Sequence, residues 1–337
     1  MHFTQLALSG LLCLSAVSAH PGHDISEEIA ERREYLGSVK RSDLSHCATK
    51  LKARGNHKRN AARREAALQK ARTKRGLTKR DLDTVIATNH NATLQGYTLN
   101  TDAATLFKGN SSCILTPEIT QGPYYVGGEW IRSNLVEGQE GVPTVLDYQV
   151  IDVDTCEPVT NVYLEMWHCN STGVYSGIVA QGNGDSTDES NINNTWHRGI
   201  QKTDVDGIAQ FETTFPGHYT GRATHIHLMV HTNATLYVNG TLGNNVTSSH
   251  VGQAFFDQDL ISAVELTSPY TSNTQVLTTN AEDGILSEES AGGVDPFHEY
   301  TLLGGDISDG IFAWMAFGIN TTQSSTITPA VSHLFII

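Results

Sequence analysis

The segment from Phe215 to His231 constrains this chain more than any other part of it. Pro216-Gly217 makes a turn, and Ala223 to His231 reads as the strand that follows. On a strand, His225 and His227 are two residues apart and point to the same face. Tyr219 and Arg222 lie in the connection just before them, and a second tyrosine, Tyr175, sits upstream after Gly173. Two phenols and two imidazoles form a hard, partly anionic donor set. It suits a ferric ion better than zinc, copper(I) or calcium. A His-x-His pair alone is a weak signal, because structural histidines and zinc or copper sites also produce it.

The surrounding sequence has the same short-strand texture. Candidate strands run over 145–153, 162–169, 208–214, 251–256, 299–303 and 311–319, and Asp204-Val205-Asp206-Gly207 is a turn leading into the third of these. Short strands separated by Gly, Asn and Asp, with few helical patterns, point to a mainly β chain with a β-sandwich as its main domain over 116–320. Residues 321–337 read as a C-terminal tail.

The N-terminal quarter differs. Residues 1–19 read as a secretory signal, with an apolar run from Leu6 to Val17 and a small-residue cleavage site at Val17-Ser18-Ala19. The run is too short to span a bilayer, and no other stretch is apolar enough to do so. Eight Asn-x-Ser/Thr sequons agree with secretion: Asn91, Asn110, Asn170, Asn193, Asn233, Asn239, Asn245 and Asn320. Once the signal is removed, Cys47, Cys113, Cys156 and Cys169 remain, enough for two disulfides in any of three pairings.

Residues 20–80 carry 17 Lys+Arg against 7 Asp+Glu, while the rest of the chain carries 5 against 29 and the whole has a net charge of −14. Residues 47–75 are rich in good helix formers, interrupted at Gly55 and ended near Gly76. The expected element is a short basic helical arm. It docks either on its own acidic domain or on a second subunit, as in a homodimer, or it is cut away as a propeptide at Lys40-Arg41 or Lys79-Arg80. Secretion argues against a nucleic-acid partner. Residues 81–115 read as a linker or extended cover.

Several segments taken together resemble the intradiol ring-cleavage dioxygenases, in a secreted fungal branch. They are Gln121-Gly122-Pro123-Tyr124-Tyr125, Glu165-Met166-Trp167-His168 through Gly173-Val174-Tyr175, Arg198-Gly199 with Thr203 to Gly207, and Pro216 to His227. The resemblance covers roughly 113–320, and the order and joint presence of the pieces make it specific. It implies a non-haem iron(III) cofactor held by Tyr175, Tyr219, His225 and His227, with Tyr219 the ligand that leaves when a catechol chelates the metal. It also implies that Arg222 stabilises developing negative charge, that Gln253 lines the oxygen side of the pocket, and that Pro123 and Tyr124 line the substrate cleft. The reaction so implied cleaves a small aromatic diol with O2 between its hydroxylated carbons. His168 is assigned to structure, and His218 either to a hydrogen bond behind Tyr219 or to the turn. A non-catalytic secreted β-sandwich binding module is the alternative from a different class.

Overall fold

A computed structural model describes residues 44–76, 112–114 and 122–332, apart from 233, 235, 243–246, 291–294, 324 and 328. The signal at 1–19, both dibasic pairs and residues 81–111 of the expected linker lie outside the described residues.

Two five-stranded sheets form a sandwich. In chain order the strands are β1 (Ser112–Ile114), β2 (Val126–Gly127), β3 (Pro143–Asp152), β4 (Tyr163–Trp167), β5 (Arg198–Lys202), β6 (Ile208–Thr214), β7 (His225–His231), β8 (Thr247–Phe255), β9 (Glu299–Leu302), β10 (Ile311–Ile319), β11 (Ser325–Thr326) and β12 (Val331–Ser332). The first sheet runs β1-β10-β3-β6 with β9 also on β10, and the second runs β11-β8-β7-β4-β5. The helices are α1 (Ala48–Ala53), α2 (Asn56–Lys74), α3 (Gln258–Glu265) and α4 (Gly284–Glu289).

Strand parity builds the core. Leu146, Tyr148 and Val150 of β3, Ala313, Met315 and Phe317 of β10, and Ile226, Leu228 and Val230 of β7 face inward into one buried cluster. The alternate residues of each strand face outward, and both outward faces are covered.

The N-terminal arm covers the first sheet. Gly55, at φ 72°, separates α1 from α2. Ala61, Leu68 and Ala71 of α2 pack on Leu303, Phe312 and Trp314. The fully buried Asp147 of β3 accepts hydrogen bonds from Arg63 (2.7 and 3.2 Å), Arg64 (3.2 Å) and Gln210 (2.6 Å). Burial works to raise the Asp147 pKa, but the two guanidinium groups outweigh it and hold the carboxyl below its ordinary range. The sequence left the arm's partner open; its residues 44–76 dock on their own domain. A disulfide between Cys47 and Cys156 ties the arm down.

Three expectations need correction. Two disulfides do not form from the four cysteines. Cys169, just after β4, is a buried free thiol that donates to the Gly217 carbonyl at 3.2 Å, walled in by aromatic side chains. The domain does not stop at 320, because β11 pairs with β8 and β12 with β2. Nor does it begin at 116, since β1 lies within the expected linker and pairs with β10. Strand β5 was not anticipated, because Gly199 breaks the apolar alternation there.

Candidate active site

The outward face of the second sheet carries the donors. The antiparallel ladder sets His227 of β7 opposite Trp167 of β4 and Gln253 of β8, and His225 opposite Phe255. The 25 residues between His227 and Gln253 are no barrier, because β8 turns back along β7 and restores the neighbourhood. The imidazole of His227 stacks on Trp167 with ring centres 4.8 Å apart and planes within 2°. Gly122 approaches it closely; a Cβ there would lie 3.3 Å from Cε1 of His227. That contact puts the Gly122-Pro123-Tyr124 turn beside the donors.

The two tyrosines arrive on loops. Tyr175 lies between β4 and β5, where its backbone is clamped by side-chain amides. Its N–H donates to Oδ1 of Asn183 (2.7 Å), and its carbonyl accepts from Nδ2 of Asn183 (2.8 Å) and of Asn191 (2.9 Å). Arg198 donates to the Ser176 carbonyl at 2.8 and 3.0 Å, and its guanidinium sits 5.9 Å over the Tyr175 ring. Tyr219 comes from the turn before β7. The two loops touch only because Gly173 and Gly217 lack side chains. A Cβ at Gly173 would lie 2.1 Å from the His218 carbonyl oxygen, and one at Gly217 would lie 2.5 Å from that of Ser171.

Four polar tips therefore converge. Nδ1–H of His225 donates to the Ala223 carbonyl at 2.6 Å, so Nε2 presents a lone pair. That Nε2 lies 3.1 Å from Nε2 of His227 and 3.3 Å from the Tyr219 hydroxyl. The Tyr175 ring packs edge-on against both Tyr219 (5.6 Å) and His227 (6.0 Å). The Tyr175 hydroxyl is buried without a hydrogen-bond partner among the described residues, as are the Tyr124 hydroxyl and Nε1 of Trp167. Burial pushes the phenols of Tyr175 and Tyr219 well above their ordinary pKa and drives His225 well below its own. A buried cluster of two phenols and two imidazoles, one hydroxyl of it orphaned, is a donor set that could hold a cation.

The remaining sequence candidates fall around this cluster. Arg222 is buried, with Nη2 donating to Oε1 of Gln253 and Nε to Oδ2 of Asp283 at 3.0 Å. The carboxylate keeps Arg222 charged despite its burial. Tyr124 stacks on Tyr175 at 4.8 Å and meets Tyr219 edge-on at 6.3 Å. His218 does not contact the donors. It bridges Oε1 of Glu265 (2.8 Å) and the Gln275 carbonyl (2.9 Å), which fixes the turn carrying Tyr219. His168 hydrogen-bonds the Cys169 carbonyl and the Thr213 hydroxyl, the structural role assigned to it. Sequence reasoning missed Asn183, Asn191 and Asp283. An Asn clamp carries no spacing signal, and Asp283 lies 60 residues from Ala223, whose N–H it accepts.

The chain is similar to known dioxygenases. A family model described as dioxygenase (Dioxygenase_C) matches residues 120–260. A catechol 1,2-dioxygenase of Acinetobacter lwoffii is 27% identical over an alignment of 138 residues, with 34% of this chain and 42% of that protein covered. The chain thus spans less than half the length of that relative. The solved intradiol ring-cleavage dioxygenase of Tetranychus urticae is 29% identical, with 63% of this chain and 98% of that one covered at a TM-score of 0.50. A second solved dioxygenase is 29% identical, with 64% and 98% covered at a TM-score of 0.51.

Proposed function

We propose, for a chain that belongs to the intradiol ring-cleavage dioxygenases, that it is a secreted iron(III) enzyme opening catechol-type rings between their two hydroxylated carbons. Both atoms of O2 would enter the product, a muconate-type diacid. The observation that carries this reading is the convergence of Tyr175, Tyr219, His225 and His227 around one orphaned buried phenol. These four side chains would hold the metal, and their donor chemistry fits it: phenolates favour iron(III), and neutral imidazoles complete the set. Bound ferric iron would supply Lewis acidity, drawing electron density from a chelated diol so that its ring carbon reacts with O2.

The chain's own residues supply the rest. Held as a phenolate by the metal, Tyr219 would take up one diol proton at its phenolic oxygen as substrate enters. Arg222 faces the donors with a permanent positive charge and stabilises negative charge as it develops on the ring, and Asp283 and Gln253 hold it there. Tyr124, stacked on Tyr175, and Pro123 form the wall against which an aromatic ring lies. Trp167 and Phe255 close the site from the sheet side and exclude water. The disulfide to Cys156 supports an oxidising compartment, in keeping with secretion.

The test is the visible spectrum of the ferric-loaded protein before and after anaerobic addition of catechol. A red-brown tyrosinate band that shifts with catechol is the expected result. A protein that stays colourless after ferric loading overturns the reading in favour of a non-catalytic binding module. Replacing Arg222 with Ala should leave iron bound and slow turnover by roughly 10²–10³-fold, the usual effect of losing one charge-stabilising donor.

A further inference from the structure

We infer that Asp283 is a positioning residue for this site, a single carboxylate that aims Arg222 and fixes the metal-facing nitrogen of His225. The inference rests on the iron reading above. Asp283 lies outside the residues matched by the family model and is almost completely buried.

Its two oxygens do separate work. Oδ2 accepts from Nε of Arg222 at 3.0 Å and from the Ala223 backbone N–H at 2.7 Å. Oδ1 accepts from the N–H groups of Ile285 (2.8 Å) and Leu286 (3.0 Å), in the first turn of α4. Two routes run from Oδ2 to the donors. Through Arg222 it reaches Gln253, which stands opposite His227 in the ladder. Through the Ala223 peptide it reaches His225, because the carbonyl of that residue accepts Nδ1–H of His225 at 2.6 Å and so leaves Nε2 bare. Leu286 of α4 packs with Ala223 and Phe255, so the helix that Asp283 holds also covers the start of β7. A guanidinium has five donors and many orientations on a long stem. The bond to Nε leaves Nη2 pointed at Gln253 and the charge pointed at the tyrosines.

The competing role is that of a helix cap and nothing more. Asn and Ser cap helices about as well as Asp does, so Asp283→Asn and Asp283→Ser keep the cap and remove the charge. In ferric-loaded full-length protein, Asp283→Asn should retain stoichiometric iron. It should lower kcat roughly 10- to 100-fold, the usual effect of removing a group that orients a metal site, with KM changed less than about threefold. In an Arg222→Gln background the same substitution should cost less than it does in the wild type, because one of its two routes is gone and the route through Ala223 to His225 remains. Wild-type kcat in Asp283→Asn, or an equal loss in both backgrounds, overturns the proposal.

A metal-free readout separates this from failure of the iron reading. Histidine nitrogen NMR of the apo protein should show His225 as the Nδ1–H tautomer in the wild type and a mixture of tautomers in Asp283→Ser. Identical tautomers in the two proteins overturn the proposal even if the wild type never binds iron. If Asp283→Ser leaves Arg222 unpaired and fails to fold, Arg222→Gln/Asp283→Ser buries no unpaired charge and supplies the same comparison against Arg222→Gln.

Discussion

The two outward faces of this sandwich are both polar and both buried, yet they are finished in opposite ways. On the first sheet, Asp147 meets two arginines and a glutamine, and the apolar stripe of α2 closes over Phe312 and Trp314. On the second, the hydroxyls of Tyr124 and Tyr175 and Nε1 of Trp167 are buried with no hydrogen-bond partner among the described residues. Glu129, beside the same face, accepts no hydrogen bond, and its nearest cation is Nε of Arg198 at 3.9 Å. A satisfied buried polar network fixes a fold, while unsatisfied groups converging on one point cost stability and are kept for what they bind. The first face is not free of such groups, since Nδ2 of Asn56 in α2 also has no hydrogen-bond partner among the described residues; what sets the second face apart is that its unsatisfied groups gather beside one donor cluster.

The sharpest way to break this contrast is Tyr175→Phe. It should weaken and shift the tyrosinate band, since Tyr219 remains, and reduce turnover to background, while the apo protein becomes more stable by about 1 kcal/mol, because a buried orphan hydroxyl is gone. Denaturant unfolding of the apo protein checks it, and a clear loss of apo stability would place Tyr175 with the structural residues. On the other face, Asp147→Ala strands the buried Arg64 and should cost about 3–5 kcal/mol. The folded fraction should keep normal iron content and kcat, and lost iron at full occupancy of the fold would join the two faces energetically. Cys47→Ser removes a link that closes a loop of 109 residues and should cost about 2–4 kcal/mol. The thermal midpoint should fall, with the spectrum of the ferric site unchanged.

The smallest expected effect concerns pH. Burial raises the Glu129 carboxyl to about 8, so between its unfolded pKa near 4.3 and about 8 the folded state binds more protons than the unfolded one. Glu129 therefore costs stability progressively as pH rises through that window. Glu129→Gln should melt close to wild type at pH 4 and higher than wild type at pH 8. A difference in melting temperature that does not widen with pH would show that Glu129 is satisfied after all.

Much of this was legible in the residues. Strand β7 was read from its bounding turn, and its parity set His225 and His227 on one face. The arm was read as helical, with its break at Gly55. Gln253 emerged from the resemblance, and the antiparallel return of β8 explains its place opposite His227. The arm's docking surface was not legible, because nothing along the chain tells Arg63 and Arg64 that they will meet Asp147. Nor was the pairing of Cys47 with Cys156, since cysteine spacing alone leaves three connectivities open. The Asn183 and Asn191 clamp on Tyr175 was also hidden, because a side-chain amide bonds to whichever backbone folding brings to it.

The sequence alone settled the kinds of donor atom, the strand that carries two of them and the sheet parity that faces them one way, because side-chain chemistry and the two-residue period of a strand are local properties. Tertiary structure alone decided that Tyr175 and Tyr219 meet, that α2 closes its own domain, and that Asp283 reaches across some 60 residues to Arg222 and Ala223. Those contacts join residues far apart in the chain, and only packing of the whole sandwich sets which of them come within hydrogen-bonding distance.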